Sequence, residues 1–142
     1  MTNSKTAHSK TAHPKTTGQA EREINQRLRS LYKKQLGHKV SDVTCQLFDT
    51  KLAIVLENAV TKVEKKLLED GKETLTAQVH EDLSGAIESH IKEVVESTLD
   101  VSVIDVLDDT ELSSGRTGMI VVLSESPALR SARKHKAHAT RS

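Results

Sequence analysis

The stretch VSDVTCQLFDTKLAIVLENAV, residues 40–60, decides the fold. Val43, Cys45 and Leu47 alternate with Thr44, Gln46 and Phe48, the period-two pattern of a strand with one buried face. Asp49-Thr50-Lys51 then interrupts with turn formers, and Leu52 to Leu56 runs apolar on both faces. A hairpin turning near Asp49 to Lys51 accounts for both runs. Its second strand is expected to be the more central one, because continuous hydrophobicity is tolerated where a strand is covered on two sides.

Working outward toward the N-terminus, Ile24, Leu28, Leu31, Tyr32 and Leu36 fall at helical spacing, with Glu21, Arg22, Arg27, Arg29, Lys33 and Lys34 between them. This predicts an amphipathic helix of about five turns. Lys33 and Lys34 suit its last turn, where helix carbonyls concentrate negative charge, and Gly37 offers a left-handed stop.

Toward the C-terminus, Thr61-x-x-Glu64 has capping-box spacing and opens a short helix over Lys62 to Leu68, interrupted at Asp70-Gly71. A long helix is expected from Glu73 to Thr98. Its apolar stripe is read as Leu75, Val79, Leu83, Ala86, Ile87, Ile91, Val94 and Val95, with Glu81, Glu88, Lys92, Glu93 and Glu96 opposite. Gly85 weakens a helix interior by about 1 kcal/mol relative to Ala, which makes close packing against a strand or a partner helix worth testing there. VSVIDVLDD (101–109) and GMIVVLSE (118–125) read as two more strands joined by DDTELSSGRTG.

The fold class expected is therefore α+β: helix-strand-strand-helix-strand-strand, a four-stranded, mainly antiparallel sheet with its helices on one face. If Val101, Val103, Met119, Val121 and Leu123 face the helices, then Ile104, Val106, Ile120 and Val122 face away. Such an uncovered face exceeds what monomers usually expose, and homodimerisation through that face, or through the long helix, is the expected remedy.

At 142 residues with 35% hydrophobic side chains, the chain has material for one domain, whose core must be aliphatic because Tyr32 and Phe48 are its only aromatics. Three segments are expected: a disordered basic tail over 1–17, a single domain over 18–126, and a mostly disordered basic tail over 127–142. The tails carry Lys5, Lys10, Lys15, Arg130, Arg133, Lys134, Lys136 and Arg141 and no acid, while 18–126 holds 13 of the 21 basic residues against all 20 acidic ones. No run approaches the roughly 20 apolar residues of a spanning helix, and no secretory signal is evident. Cys45 alone cannot form an internal disulfide. A cytoplasmic protein, peripheral at the membrane at most, is expected.

INQRLRSLYKKQLGHKVSDVTCQLFDTKLAIVLENAVTKVEKKLLEDGKE (24–73), with the acidic helix and terminal hairpin after it, resembles the MpsC-like family, small proteins named after a component of a sodium-translocating, membrane-potential-generating system. The resemblance covers residues 21–124. It rests on Leu31-Tyr32-Lys33-Lys34 followed by Leu36-Gly37, on Val60-Thr61-x-x-Glu64-Lys65, and on Ile120-Val121-Val122-Leu123. This chain has Lys39-Val40 where many members carry Gly-Pro, and Lys62 where Pro is expected. The resemblance implies a soluble accessory or regulatory protein linked to membrane ion or bicarbonate transport, and no catalytic residue to carry over.

Individual residues offer little chemistry. The pentapeptide Ser-Lys-Thr-Ala-His occurs twice, ending at His8 and His13, and His135 and His138 echo it, but neither tail supplies the fixed orientation a metal needs. His80 and His90 lie about 80° apart and roughly 15 Å along a helix, too far for one ion; both are expected at the surface. Asp105, Asp108, Asp109 and Glu111 do not match a calcium loop, and a solvated hairpin tip is expected. Gly115-Arg116-Thr117-Gly118 reads as turn chemistry rather than a phosphate grip. Cys45 sits in an apolar alternation without a nearby histidine, so core packing is expected. No Walker loop, Gly-x-Ser-x-Gly or HExxH occurs, so no cofactor, metal or catalytic site is assigned and an enzyme is not expected.

The function expected is that of a non-enzymatic, homodimeric accessory protein that binds a protein partner. A second reading is an architectural nucleic-acid binder using its two basic tails, whose attraction for phosphate would be salt-sensitive; anionic membrane contact through the same tails is a variant of it. A small-ligand sensor at the dimer interface is a third.

Overall fold

The computed structural model describes residues 15–130. The elements run α1 (Thr17–Leu36), β1 (Asp42–Phe48), β2 (Lys51–Glu57), α2 (Lys62–Glu69), α3 (Glu73–Leu99), β3 (Val103–Glu111) and β4 (Arg116–Leu123). The strands form one sheet in the order β1-β2-β4-β3, and every neighbouring pair is antiparallel. The expected α+β class is correct.

Helix α1 begins where Thr16 closes a capping box: its hydroxyl accepts from the Gln19 amide at 3.1 Å, and the Gln19 side chain accepts from the Thr16 amide at 2.9 Å. It stops at Gly37, which takes a left-handed φ of 61° and donates to the Lys33 carbonyl at 2.9 Å. Ala20, Ile24, Leu28 and Tyr32 form its buried face. Helix α2 starts on the Thr61–Glu64 capping box anticipated from the sequence.

The core lies between the helices and one face of the sheet. Val43, Leu52, Ile54, Leu56, Met119, Val121 and Leu123 meet the α1 face and Ile87, Ile91, Val94, Val95 and Leu99 of α3. Burying an aliphatic side chain contributes about 1.5–3 kcal/mol, so these layers hold the fold together. A clamp adds to them. Arg27 of α1 donates to Ser97 Oγ (2.7 Å), Thr98 Oγ1 (2.8 Å) and the Val94 carbonyl (3.4 Å), and Lys15 donates to the Thr98 carbonyl (3.1 Å). The last turn of α3 has no basic residue of its own, so α1 and the segment before it supply the positive charge that helix carbonyls attract.

Four expectations need correction. Strand β2 is central, but it is covered on one face only: Leu52, Ile54 and Leu56 are buried while Ala53 and Val55 are half-exposed. Val106 faces the core rather than solvent, because the register shifts between Val103 and Asp105 and makes Ile104 a bulge. Leu107 takes the outward place. In α3, Leu75 and Ala86 are exposed, and Thr76, His80 and Ser84 turn inward in their stead. Gly85 has nothing within 4 Å of an added Cβ, so no close approach demands it.

The bounds also differ. Strand β3 extends to Glu111 and β4 begins at Arg116, so most of the anticipated loop is strand, with Gly115 at φ 77° in the turn. Thr16 and Arg130, both inside the expected tails, form a parallel bridge, with Thr17 N donating to Arg130 O at 2.9 Å and Arg130 N to Lys15 O at 3.0 Å. The readings made for 1–14 and 131–142 lie outside the described residues.

Candidate docking surface

Pairing across the sheet places the outward side chains in rows. Gln46, Ala53, Ile120 and Leu107 form one row across the four strands; Thr44, Val55, Gly118 and Asp109 flank it on one side, and Phe48, Lys51, Val122 and Asp105 on the other. The centre of this face is aliphatic. Phe48 is 51% exposed, and Ile104 and Leu107 are each 58% exposed. Four strands about 4.8 Å apart and roughly 24 Å long give a face of about 450 Å² in projection. None of the helices packs on it, since α1 and α3 both meet the opposite face.

Charge surrounds the apolar rows with both signs. Lys51 stands at the start of β2 in a flanking row, Asp105 and Asp109 stand on the edge strand β3, and Arg116 pairs with Glu57 at 2.9 Å at the other end. Edge strand β1 is partly blunted from α1: the Asn25 side chain donates to the Val43 carbonyl at 2.7 Å, and Leu47 N donates to Glu21 Oε2 at 2.7 Å. Strand addition there is therefore hindered, which leaves the outer face as the broad unsatisfied surface.

On the inner side, a chain of polar groups crosses from α2 to the sheet. Glu64, with 1% of its side chain exposed, accepts from Thr61 N (2.9 Å) and Thr61 Oγ1 (2.8 Å) through Oε1, and meets His80 Nδ1 at 2.5 Å through Oε2. His80 Nε2 lies 2.8 Å from Thr110 Oγ1, which lies 2.6 Å from Thr117 Oγ1. Burial works to raise the Glu64 pKa, but the bonds from His80 and Thr61 outweigh it and hold the carboxyl below its ordinary range. The same Glu64 contact raises His80 above the usual imidazole value, against burial, and Asp108 and Asp109 add to it. Burial, reinforced by Asp108 and Glu64, pushes the Tyr32 phenol up to about 12. The arrangement holds a proton between an imidazole and a carboxylate that the fold screens from water.

His80 is thus not the surface histidine expected. Its signal was present: counting back from Ile91 and Ile87 in helical steps reaches Ser84, His80 and Thr76 as readily as Leu83 and Val79. Asp105, Asp109 and Glu111 project to the outer face while Asp108 shares the inner face, so the strand divides the acidic cluster. Among the described residues no group of three or more His, Cys, Asp or Glu is placed to hold a metal ion. Cys45 is half-buried on β1, and burial followed by the Glu21 charge pushes its thiol up to about 12, so it stays protonated at neutral pH. No helix among the described residues is long and apolar enough to cross a membrane.

No curated protein and no solved structure matches this chain. A family model does, over residues 16–125, which span α1 through β4. The chain belongs to the MpsC family, described as the Na+-translocating membrane potential-generating system.

Proposed function

We propose that the protein is a non-enzymatic accessory or regulatory component of a membrane ion- or bicarbonate-transport system. It acts by pairing with a second copy of itself through the outer face of the sheet, and the pair docks on a protein partner. The observation that carries this reading is the aliphatic row Ala53, Ile120 and Leu107, on which no described helix packs. Continuous apolar patches above a few hundred Å² mark interaction sites in soluble proteins. A second copy fits because the face carries both Lys51 and the β3 acids, so a two-fold mate can set opposite charges around a shared apolar centre. The family assignment supports the link to a membrane transport system.

Size-exclusion with light scattering tests the pairing. The full chain is expected at twice the protomer mass, and the variant carrying Leu107→Asp and Ile120→Asp as a monomer with an unchanged circular-dichroism spectrum. A clean monomer of the natural chain at micromolar concentration overturns the pairing.

A second reading, nucleic-acid binding by the tails, is favoured by one feature. The Thr16–Arg130 bridge roots both basic segments at one point. Gel shift under a salt titration separates the readings: removing 1–14 and 131–142 abolishes nucleic-acid binding under this one and leaves the dimer intact under the first.

A further inference from the structure

A cleft of about 450 Å³ opens where the end of α1, the α1–β1 connection and the start of α2 meet. Lys33, Lys39, Lys62 and Lys65 line it together with His38 and Asn58, and among the described residues its lining includes no carboxylate. That is unexpected in a body, residues 18–126, whose 20 acids outnumber its 13 bases. None of the lining residues lies on the outer face of the sheet, so the cleft is separate from the surface described above.

The lysines are gathered by the fold rather than scattered on it. Asn58, at a left-handed φ of 56°, is the hub. Its carbonyl oxygen lies 2.6 Å from His38 Nε2, its side-chain amide donates to the Lys39 carbonyl at 3.3 Å, and its side-chain oxygen accepts from Lys65 Nζ at 2.7 Å. Gly37, left-handed as well, turns the chain at Lys33 back toward this hub. The connection and α2 are thereby locked together, and Lys33, Lys39 and Lys62 line the cleft with no ion pair among the described residues.

A second positive contribution comes from the backbone. The amides of Lys62 and Val63 are the first two of α2, ahead of any residue that offers them an acceptor within the helix, and both residues line the cleft. The carboxylate nearest in sequence, Glu64, is turned into the fold and engaged by Thr61 and His80. Nothing in the lining therefore offsets the lysines, and their mutual repulsion is relieved by an anion of two or more charges.

We propose that this cleft is a binding site for a phosphate-bearing anion, held by the ammonium groups of Lys33, Lys39, Lys62 and Lys65 and the first amides of α2. Phosphate fits better than a single carboxylate because its oxygens accept from several donors at once, and lysine binds it as a point charge without bidentate geometry. The volume of about 450 Å³ lies within the range of small-molecule sites, so the cleft has room for a phosphate that carries an organic group. That group belongs either to a soluble phosphate compound or to the headgroup of a phosphorylated lipid.

Thermal unfolding of the full chain with pyrophosphate, against sodium chloride of equal ionic strength, tests the chemistry. At a tenfold excess over Kd the unfolding midpoint rises by about 4 °C. The rise is lost in K39E/K62E, reduced in K39Q/K62Q and kept in K72E, whose side chain lies outside the cleft. The natural chain and all three variants keep the basic tails, so a rise that persists in K39E/K62E assigns the effect to the tails and overturns the proposal. Co-sedimentation with phosphatidylcholine vesicles carrying phosphatidylinositol 4-phosphate distinguishes the source. Binding to these vesicles that K39E/K62E loses, without a pyrophosphate effect, assigns a lipid headgroup; a pyrophosphate effect without vesicle binding assigns a soluble compound. No difference between natural chain and K39E/K62E in either measurement overturns the site.

Discussion

His80 Nδ1 lies 2.5 Å from Oε2 of Glu64, joining the middle of one turn of α3 to the buried start of α2 across 16 residues of sequence. Glu64 is the sole residue of α2 classed as buried, while Val63 on the same helix is 65% exposed. The short helix is thus held to the body largely through a charged contact rather than an apolar seam.

This predicts a particular dependence of stability on pH. The pKa of His80 is raised by folding, so its contribution is complete below the ordinary imidazole value of about 6.5 and is lost as pH rises through the folded value. That of Glu64 is lowered, so its contribution is complete above about 4.5 and is lost as pH falls through the folded value. The stability difference between the natural chain and His80→Ala is therefore expected to be largest between about pH 4.5 and 6.5, on the order of 3 kcal/mol, and to shrink on both sides. Urea titrations across that range measure it; a difference that grows above pH 8 would contradict the pairing.

Two glycines predict opposite outcomes. Gly85 lies in the exposed interior of α3 with open space around an added Cβ, so Gly85→Ala is expected to stabilise by up to about 1 kcal/mol. Gly37 ends α1 at φ 61°, where an L side chain is strained, so Gly37→Ala is expected to destabilise by about 1 kcal/mol despite equally open space. Denaturation midpoints of the two variants decide both.

Much of this architecture is legible in the sequence. Periodicity located α1, the capping-box spacing located the start of α2, and the alternation around Asp49 located the first hairpin. What escaped were features that depend on contacts far apart in the chain. The inner face of α3 shifts toward His80 because Glu64 and Thr110 wait there to satisfy it, and no local pattern reports that, while the Thr76 hydroxyl donates back to the Lys72 carbonyl. Ile104 reads as one more strand residue until its register against β4 makes it a bulge. The lysine cleft draws on three separate segments, each of which alone is an ordinary solvated surface.

Cys45 predicts slow chemistry. With burial and the Glu21 charge pushing its thiol up to about 12, the reactive thiolate is scarce at pH 8. Alkylation by iodoacetamide is expected to run about a hundredfold or more slower in the folded chain than in urea, where the thiol returns to about 8.5. Mass-spectrometric timing of the adduct measures the ratio, and comparable rates in the two states would show that β1 opens freely.

The Arg27 clamp yields the last expectation. Three groups at the end of α3 accept from one guanidinium nitrogen, and the carbonyls of that last turn have no basic residue of their own helix to meet. A hydrogen bond to a charged group contributes about 1.5–3 kcal/mol, and the bond to the exposed Ser97 falls at the low end of that range. Arg27→Ala is therefore expected to cost about 2 kcal/mol overall, yet Lys15 still reaches the Thr98 carbonyl, so the helix end loosens without unravelling. Hydrogen exchange at the amides of residues 94–99 reads this directly. Faster exchange confined to that turn, with the α1 amides unchanged, identifies a local clamp; uniform acceleration across the domain would show that Arg27 acts on global stability alone.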